Sequence, residues 1–396
     1  MERIELLAPA GDLERAKIAI LYGADAVYVG GKKFSLRARA SNFELSDLEE
    51  LVKFAKEHNS KVYVTTNIIA HNKDLDGYED YVLELERIGV NAIITADIGL
   101  MSRALKVLTK MEVHASTQLS ISNIEAIKFF ANMGCPRVVL ARECDMNQIY
   151  DLCKDSPVEI EAFIHGAMCS SYSGKCVLSN YMTNRDANRG GCAQSCRWLY
   201  RVYDQNQEKI NDNVFTFSSK DLQGLRYLPD MIKAGVASLK VEGRMKTAHY
   251  LATVIGTYRR AIDEYYKTGK INFEKYEEEL TKCENRKASI GFFKGNVSLK
   301  EQIFDFENDK ATQEYVATVL DYDPVSKIAK IEQRNYFKEN DLLEVYGYDI
   351  DNFTFTVSDM VDEEGEKVEI ANNPKRILFF KIDKPVKKDY FLRKVK

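Results

Sequence analysis

From Ile4 to Arg244, eight short runs rich in β-branched residues alternate with longer segments whose apolar residues recur at helical spacing. That alternation restricts the fold more than any other feature. Parallel strands need a crossover long enough to hold a helix, so the pattern belongs to α/β domains built on a parallel sheet. The predicted strands are IELLAP (4–9), AVYVGG (26–31), VYVTTN (62–67), AIITAD (92–97), EVHASTQ (112–118), RVVLAR (137–142), IEAFIH (160–165) and SLKVEGR (238–244). Eight strands in about 250 residues fit a TIM-like (β/α)₈ barrel, with a doubly wound open sheet as the competing arrangement. A helix from Ala252 to Thr268, with Tyr258, Ile262 and Tyr265 on one face, is expected to close it.

The barrel is expected over residues 1–275, followed by a linker over 276–312 and a small antiparallel β-barrel domain over 313–396. In that last part YVATVLDY, KIAKIEQR, DLLEVYG, FTFTVSDM and RILFFKI read as strands separated by the turn-like DYDPVS, DEEGE and ANNP. No apolar run is long enough to span a bilayer and no secretory signal opens the chain, so a cytoplasmic, membrane-free protein is expected.

Barrel enzymes place their sites at the carboxyl ends of the strands. The residues there are Gly30 and Gly31, Asn67, Asp97, Gln118, Arg142 and Glu143, His165, and Glu242 to Arg244. Each taken singly reads equally well as a loop or helix cap. The seventh connection is irregular, with about seventy residues where a few would do. Its first part, about 165–200, holds Cys169, Cys176, Cys192 and Cys196, four of the eight cysteines. After Trp198 the chain reads as a β-hairpin, and KDLQGLRYLPDMIKAG supplies the helix before strand eight.

In a reducing compartment, clustered thiols point to metal or redox work rather than disulfides. Their spacing, C-x₆-C, fifteen residues, then C-x₃-C, lacks the paired C-x₂-C knuckles of common zinc modules. It also lacks the C-x₃-C-x₂-C run of radical S-adenosylmethionine enzymes. A [4Fe-4S] cluster held by four thiolates of one long loop fits best, with zinc left open. Cys135, Cys144, Cys153 and Cys283 read as inert core residues. Neither H-E-x-x-H, G-x-S-x-G nor a Walker A motif is present. The net charge is -4, yet basic residues outnumber acidic ones by three between His165 and Asp204 and by seven from Lys375 onward. Two phosphate-seeking patches on an acidic protein, or two solvated faces, follow from that.

The run EAFIHGAMCSSYSGKCVLS resembles the signature of the peptidase U32 family, once called collagenase-like proteases. LLAPAGD, YVGG, NRGGCAQSCRW and KVEGRMK extend the resemblance over the whole barrel, and the C-terminal β domain is similar to one found in many members. The continuation YMTNRDANRGGC is most similar to members that form 5-hydroxyuridine at the tRNA wobble position with prephenate. The resemblance implies an iron-sulfur cluster on Cys169, Cys176, Cys192 and Cys196, the tRNA anticodon loop and prephenate as partners, and a homo- or hetero-oligomer with a second U32 protein as an open question. Some relatives ligate through a cysteine after K-D-L or K-D-M; here that position is Gln223, so Cys192 and Cys196 are needed together. His165, Glu242 and Arg244 are the candidate catalytic residues. Arg37, Arg39, Asn67, Gln118, Arg142, Arg185 and Arg189 are candidates for holding phosphates or the carboxylates of prephenate. Phe43, Tyr172 and Trp198 are candidate platforms for a splayed base. The alternative function is a U32 peptidase acting on collagen-like substrates.

Overall fold

The computed structural model describes residues 3–36, 42–283, 286–304 and 311–395. Its first part contains β1 (Glu5–Pro9), β2 (Ala26–Gly30), β3 (Lys61–Thr66), β4 (Ala92–Thr95), β5 (Glu112–Ala115), β6 (Arg137–Val139), β7 (Glu159–Gly166), β8 (Asp221–Gln223) and β9 (Ser238–Val241). Strands β1 to β7 pair in sequence, each parallel to the next. β9 then pairs in parallel with both β7 and β1, which closes an eight-stranded barrel. All eight predicted strands are present, and the open-sheet alternative is excluded by that closure.

Between the strands run α1 (Leu13–Leu21), α2 (Leu45–Glu57), α3 (Tyr78–Ile88), α4 (Ile98–Val107), α5 (Ile124–Met133) and α6 (Met146–Asp155). Several start at side-chain caps that sit just past a strand: Asp97 accepts the Leu100 N–H, and Asp145 accepts that of Gln148. Asp97 is therefore a cap, and it also accepts the Ala70 N–H at 3.0 Å. The outward strand residues Leu6, Val27, Val64, Ile93, Val138, Ala162 and Leu239 join the main core beneath the helices. The inward ones include a polar network in which Arg137 pairs with Glu5 at 2.6 Å, and Lys240 with Glu161 at 2.7 Å.

The later elements of this part are α7 (Leu178–Thr183), α8 (Leu228–Ala234), α9 (Ala248–Thr268) and α10 (Phe273–Leu280). Three local expectations change here. The hairpin after Trp198 is reduced to isolated antiparallel bridges, Tyr200 to Phe215 and Tyr203 to Lys209, because the polar run between them is exposed throughout. Asp221 to Gln223, read as the start of a helix, form β8, antiparallel to the end of β7. Within the stretch expected as a linker, Tyr276, Glu279, Leu280 and Cys283 are buried, and β10 (Ala288–Ser289) pairs with β8.

The C-terminal part holds β11 (Gln313–Asp323), β12 (Ile328–Gln333), β13 (Phe337–Lys338), β14 (Leu342–Tyr346), β15 (Phe353–Thr356), β16 (Ile370–Ala371), β17 (Ile377–Lys381) and β18 (Phe391–Val395). Six of them form an antiparallel sheet ordered β15-β14-β18-β11-β12-β17. The sheet curls, since Val361, just past one edge strand, bridges to Phe379 on the other. It packs against the barrel through Ile18, Tyr22, Ala252, Tyr346 and Phe391. The Tyr22 hydroxyl donates toward the carbonyls of Tyr346 and Asp389, both at 3.0 Å. Among the described residues, no helix is long and apolar enough to cross a membrane.

Candidate metal centre at the barrel mouth

The cysteine loop leaves the end of β7, is fastened to the barrel near Cys169 and Cys176, and is braced within itself near Cys192 and Cys196. Arg142, past β6, stacks on Phe163 at 3.9 Å and donates to the Ala167 carbonyl, two residues before Cys169. Arg197 and Ser219 both donate to the carbonyl of Met168, at 3.2 and 2.8 Å. Glu143 accepts the Ser173 N–H at 3.0 Å and its hydroxyl at 2.8 Å, which sets the chain three residues before Cys176. Gly174 next to it has φ +74°, and a Cβ there would stand 2.2 Å from the Gln118 carbonyl oxygen, so only glycine fits. Asn188 donates to the Cys176 carbonyl at 3.0 Å. The Ala193 N–H, beside Cys192, donates to Ser179, and Thr216 donates to the Cys196 carbonyl at 2.9 Å.

The same loop reaches across the mouth. Asn188 accepts the Ile69 N–H, and Arg189 pairs with Asp74 at 2.7 Å, both beyond β3. In an eight-stranded barrel β3 lies opposite β7. The insertion thus spans the mouth, resting on the connections after β3, β5 and β6.

No disulfide joins the four among the described residues; Cys169 and Cys192 are exposed, Cys176 and Cys196 half-buried. The protein packed around Cys169 raises its thiol even though the side chain reaches solvent, the Arg142 cation opposes that, and charge on Glu242, Cys192 and Cys196 adds to it. Burial likewise raises Cys196, against the Arg197 cation and a hydrogen bond from Ser170, with Cys192 and Cys176 contributing their charge. Among the described residues, no three His, Cys, Asp or Glu side chains stand close enough to share one metal ion. Four cysteine thiols on one strap are the soft donor set that iron-sulfur clusters and zinc both take.

Other candidates lie around this loop. Arg142 faces Glu242 at 3.4 Å, and Glu242 also meets the Tyr28 hydroxyl at 3.2 Å. Arg244 is buried, with Nη1 3.3 Å from the Ser35 hydroxyl and 3.1 Å from that of Thr65. Asn67 donates to Gln118 at 2.6 Å, so these two hold each other. Arg185 is exposed on the insertion. Arg37 and Arg39 lie outside the described residues. His165 is turned away from the mouth: the register of β7 against β9 shifts between Phe163 and His165, and the ring packs on Tyr258 and Tyr250 of α9. Its Nδ1 is 3.3 Å from the Tyr258 hydroxyl, and burial pushes its pKa down to about 3, with the Lys246 charge assisting. Phe43 is buried and cannot act as a platform, whereas Tyr172 and Trp198 are exposed. Cys135, Cys144 and Cys283 are buried and Cys153 half-buried, and burial pushes Cys144 up to about 12. Sequence reasoning missed the clamping roles of Ser173, Asn188 and Thr216. Only the small polar residues scattered beside the cysteines hinted at them.

A closed (β/α)₈ barrel with a four-thiol strap clamped over its mouth defines a class of barrel proteins whose site is built from one insertion. Peptidase family U32 matches residues 11–302, and the peptidase family U32 C-terminal domain matches residues 311–393. The chain belongs to peptidase family U32. It is 45% identical over 401 residues to tRNA hydroxylation protein P1 of Bacillus subtilis, covering 99% of this chain and 95% of that protein. It is 41% identical over 261 residues to the 23S rRNA 5-hydroxycytidine C2501 synthase of Escherichia coli, covering 66% of this chain and 39% of that longer protein. It is 37% identical over 308 residues to a collagenase of Porphyromonas gingivalis, covering 74% and 73%.

Proposed function

We propose that this protein is an RNA-modifying hydroxylation enzyme, and that it adds oxygen at C5 of the wobble uridine of tRNA with prephenate as co-substrate. The observation that carries the reading is the four-thiol strap over the mouth of a U32 barrel, together with near full-length similarity to a tRNA hydroxylation protein. Cys169, Cys176, Cys192 and Cys196 would hold a [4Fe-4S] cluster. When bound, it supplies redox-active, Lewis-acidic iron beside the mouth. The chain's own residues supply the rest. Arg244, a hydrogen-bonded cation deep in the mouth, suits a carboxylate of prephenate, because a guanidinium presents two parallel donors to such a group. The Arg142–Glu242 pair places a carboxylate and a fixed cation next to the Cys169 turn, where Glu242 can accept a proton and Arg142 can steady the negative charge left on the substrate.

A peptidase reading is favoured by the family's name and by relatives named as proteases, the collagenase among them. A cysteine peptidase requires an imidazole aimed at its thiol, and His165 is aimed at Tyr258. The test is mass spectrometry of tRNA nucleosides from a strain lacking this protein and any paralogue. Loss of 5-hydroxyuridine derivatives, restored by the wild-type gene and not by a Cys169→Ala copy, is the expected result. Unchanged nucleosides overturn the reading.

A further inference from the structure

The insertion carries a concentration of apolar surface that its position over the mouth does not require. Of the twenty-seven large hydrophobic side chains exposed among the described residues, eleven lie between Tyr172 and Phe217. Tyr181 on α7 is 86% exposed, Tyr203 53% and Trp198 41%. Interspersed with them are Lys175, Arg185 and Arg201, exposed and without an ion pair among the described residues. Elsewhere on the insertion Arg189 is committed to Asp74, and Lys209 to Asp212. α7, which carries Tyr181, packs on the short helical turn Ser195–Arg197, which holds Cys196 and is followed directly by Trp198. Apolar patches of this kind mark interaction sites. Protein-binding patches are depleted of lysine and of charge at their centres. Here flat aromatic rings alternate with uncompensated cations.

We propose that the exposed face of the insertion is a docking surface for an unpaired RNA strand. Tyr181, Trp198 and Tyr203 stack bases, while Lys175, Arg185 and Arg201 meet phosphates. Rings tolerate any base because every base has a π-face, and the cations follow the backbone. The surface rests on the RNA reading above and adds to it where, and in what conformation, the RNA is held. A strand lying there places one splayed base beside the thiols, while its neighbours stay on the rings.

Trp198 is the only tryptophan of the chain, so intrinsic fluorescence reports directly on this surface. The full-length protein is titrated with an RNA hairpin carrying an unpaired pyrimidine-rich loop, and with a blunt duplex of the same length. The hairpin should quench Trp198 to saturation and the duplex should not. Trp198→Ala and Tyr181→Ala should each weaken binding of fluorescently labelled hairpin by about 5- to 100-fold, the usual range for losing one stacked base, while Trp198→Phe stays near wild type. Arg201→Gln should reduce the slope of log affinity against log salt by about 0.7. Hairpin binding without quenching, or unchanged affinity in both alanine variants, overturns the proposal. So does self-association that Trp198→Ala abolishes in the absence of quenching, which assigns the patch to a second copy. Nucleoside analysis separates the two readings. Quenching with unaltered nucleosides in the deletion strain leaves the surface and removes the hydroxylation reading, whereas lost nucleosides without quenching do the reverse.

Discussion

His165 shows how one register shift decides what a side chain can do. It stands in the family signature, four residues before Cys169, where sequence reasoning makes it a candidate for the site beside the plainer reading of a strand-end histidine. The shift in pairing between Phe163 and the end of β7 sends it instead into the helical layer, 4% exposed, against Tyr258. Its folded pKa near 3 lies below the unfolded value of about 6.5. The unfolded chain therefore takes up a proton that the native state refuses, and stability falls as pH drops from 6.5 toward 3. His249, also held well below its usual range by burial and by Arg393, acts in the same sense. Replacing His165 by Asn is expected to flatten the fall of Tm between pH 6.5 and 4 while leaving part of the slope to His249. A thermal melt series in matched buffers reads this, and an unchanged slope would show that the histidine is not buried as described. The same residue marks a limit of sequence reading, because strand alternation gives the side a residue faces only while the register is unbroken.

At the scale of elements, the strap is held by residues that chemistry-seeking motifs do not flag. The eight strands were legible because short β-branched apolar runs and caps such as Asp97 agree with one another. The insertion has no such periodicity; its shape comes from single hydrogen bonds to neighbouring loops. Glu143 is the strongest of these, a carboxylate accepting two donors from Ser173. Glu143→Ala leaves that backbone N–H and hydroxyl without their acceptor, a loss of about 1.5–3 kcal/mol confined to the loop. The barrel should keep its Tm within a few degrees. With the proposed cluster on the strap, iron and acid-labile sulfide per chain, measured after anaerobic purification, should drop to less than half of wild type, with partial recovery in Glu143→Gln. Full iron in the alanine variant would remove the clamp from the account of the site. β18 was missed for a related reason: FLRKV alternates poorly, and its arginine has no place in a core until its partners are known.

For the whole molecule that arginine is the tie between barrel and sheet. Arg393 is 0% exposed and donates to Glu279 of α10, to Glu344 of β14, to Thr253 and to His249 Nε2. Lys282 lies 3.0 Å from Glu279 and 2.9 Å from Glu344, so two cations face two carboxylates. Burial would raise the Glu279 carboxyl, and Arg393 and Lys282 together hold it below its usual range. Arg393→Leu leaves Lys282, among the described residues, as the one cation between two buried carboxylates and should cost about 3–5 kcal/mol. Calorimetry should show the single transition of the wild type split into an early sheet transition and a later barrel transition. A single, slightly lowered transition would mean that the remaining contacts, the packing of Tyr22, Tyr346 and Phe391 and the Lys282–Glu344 pair among them, suffice to couple the two parts. The closure of the barrel carries a different consequence. β7 and β9 are hydrogen-bonded neighbours although some seventy residues separate them. The excursion between them begins and ends at adjacent points. Lengthening or rewriting it changes loop-closure entropy by only about 0.6 kcal/mol per doubling. A lineage can therefore retailor what the barrel grips without renegotiating how the barrel folds.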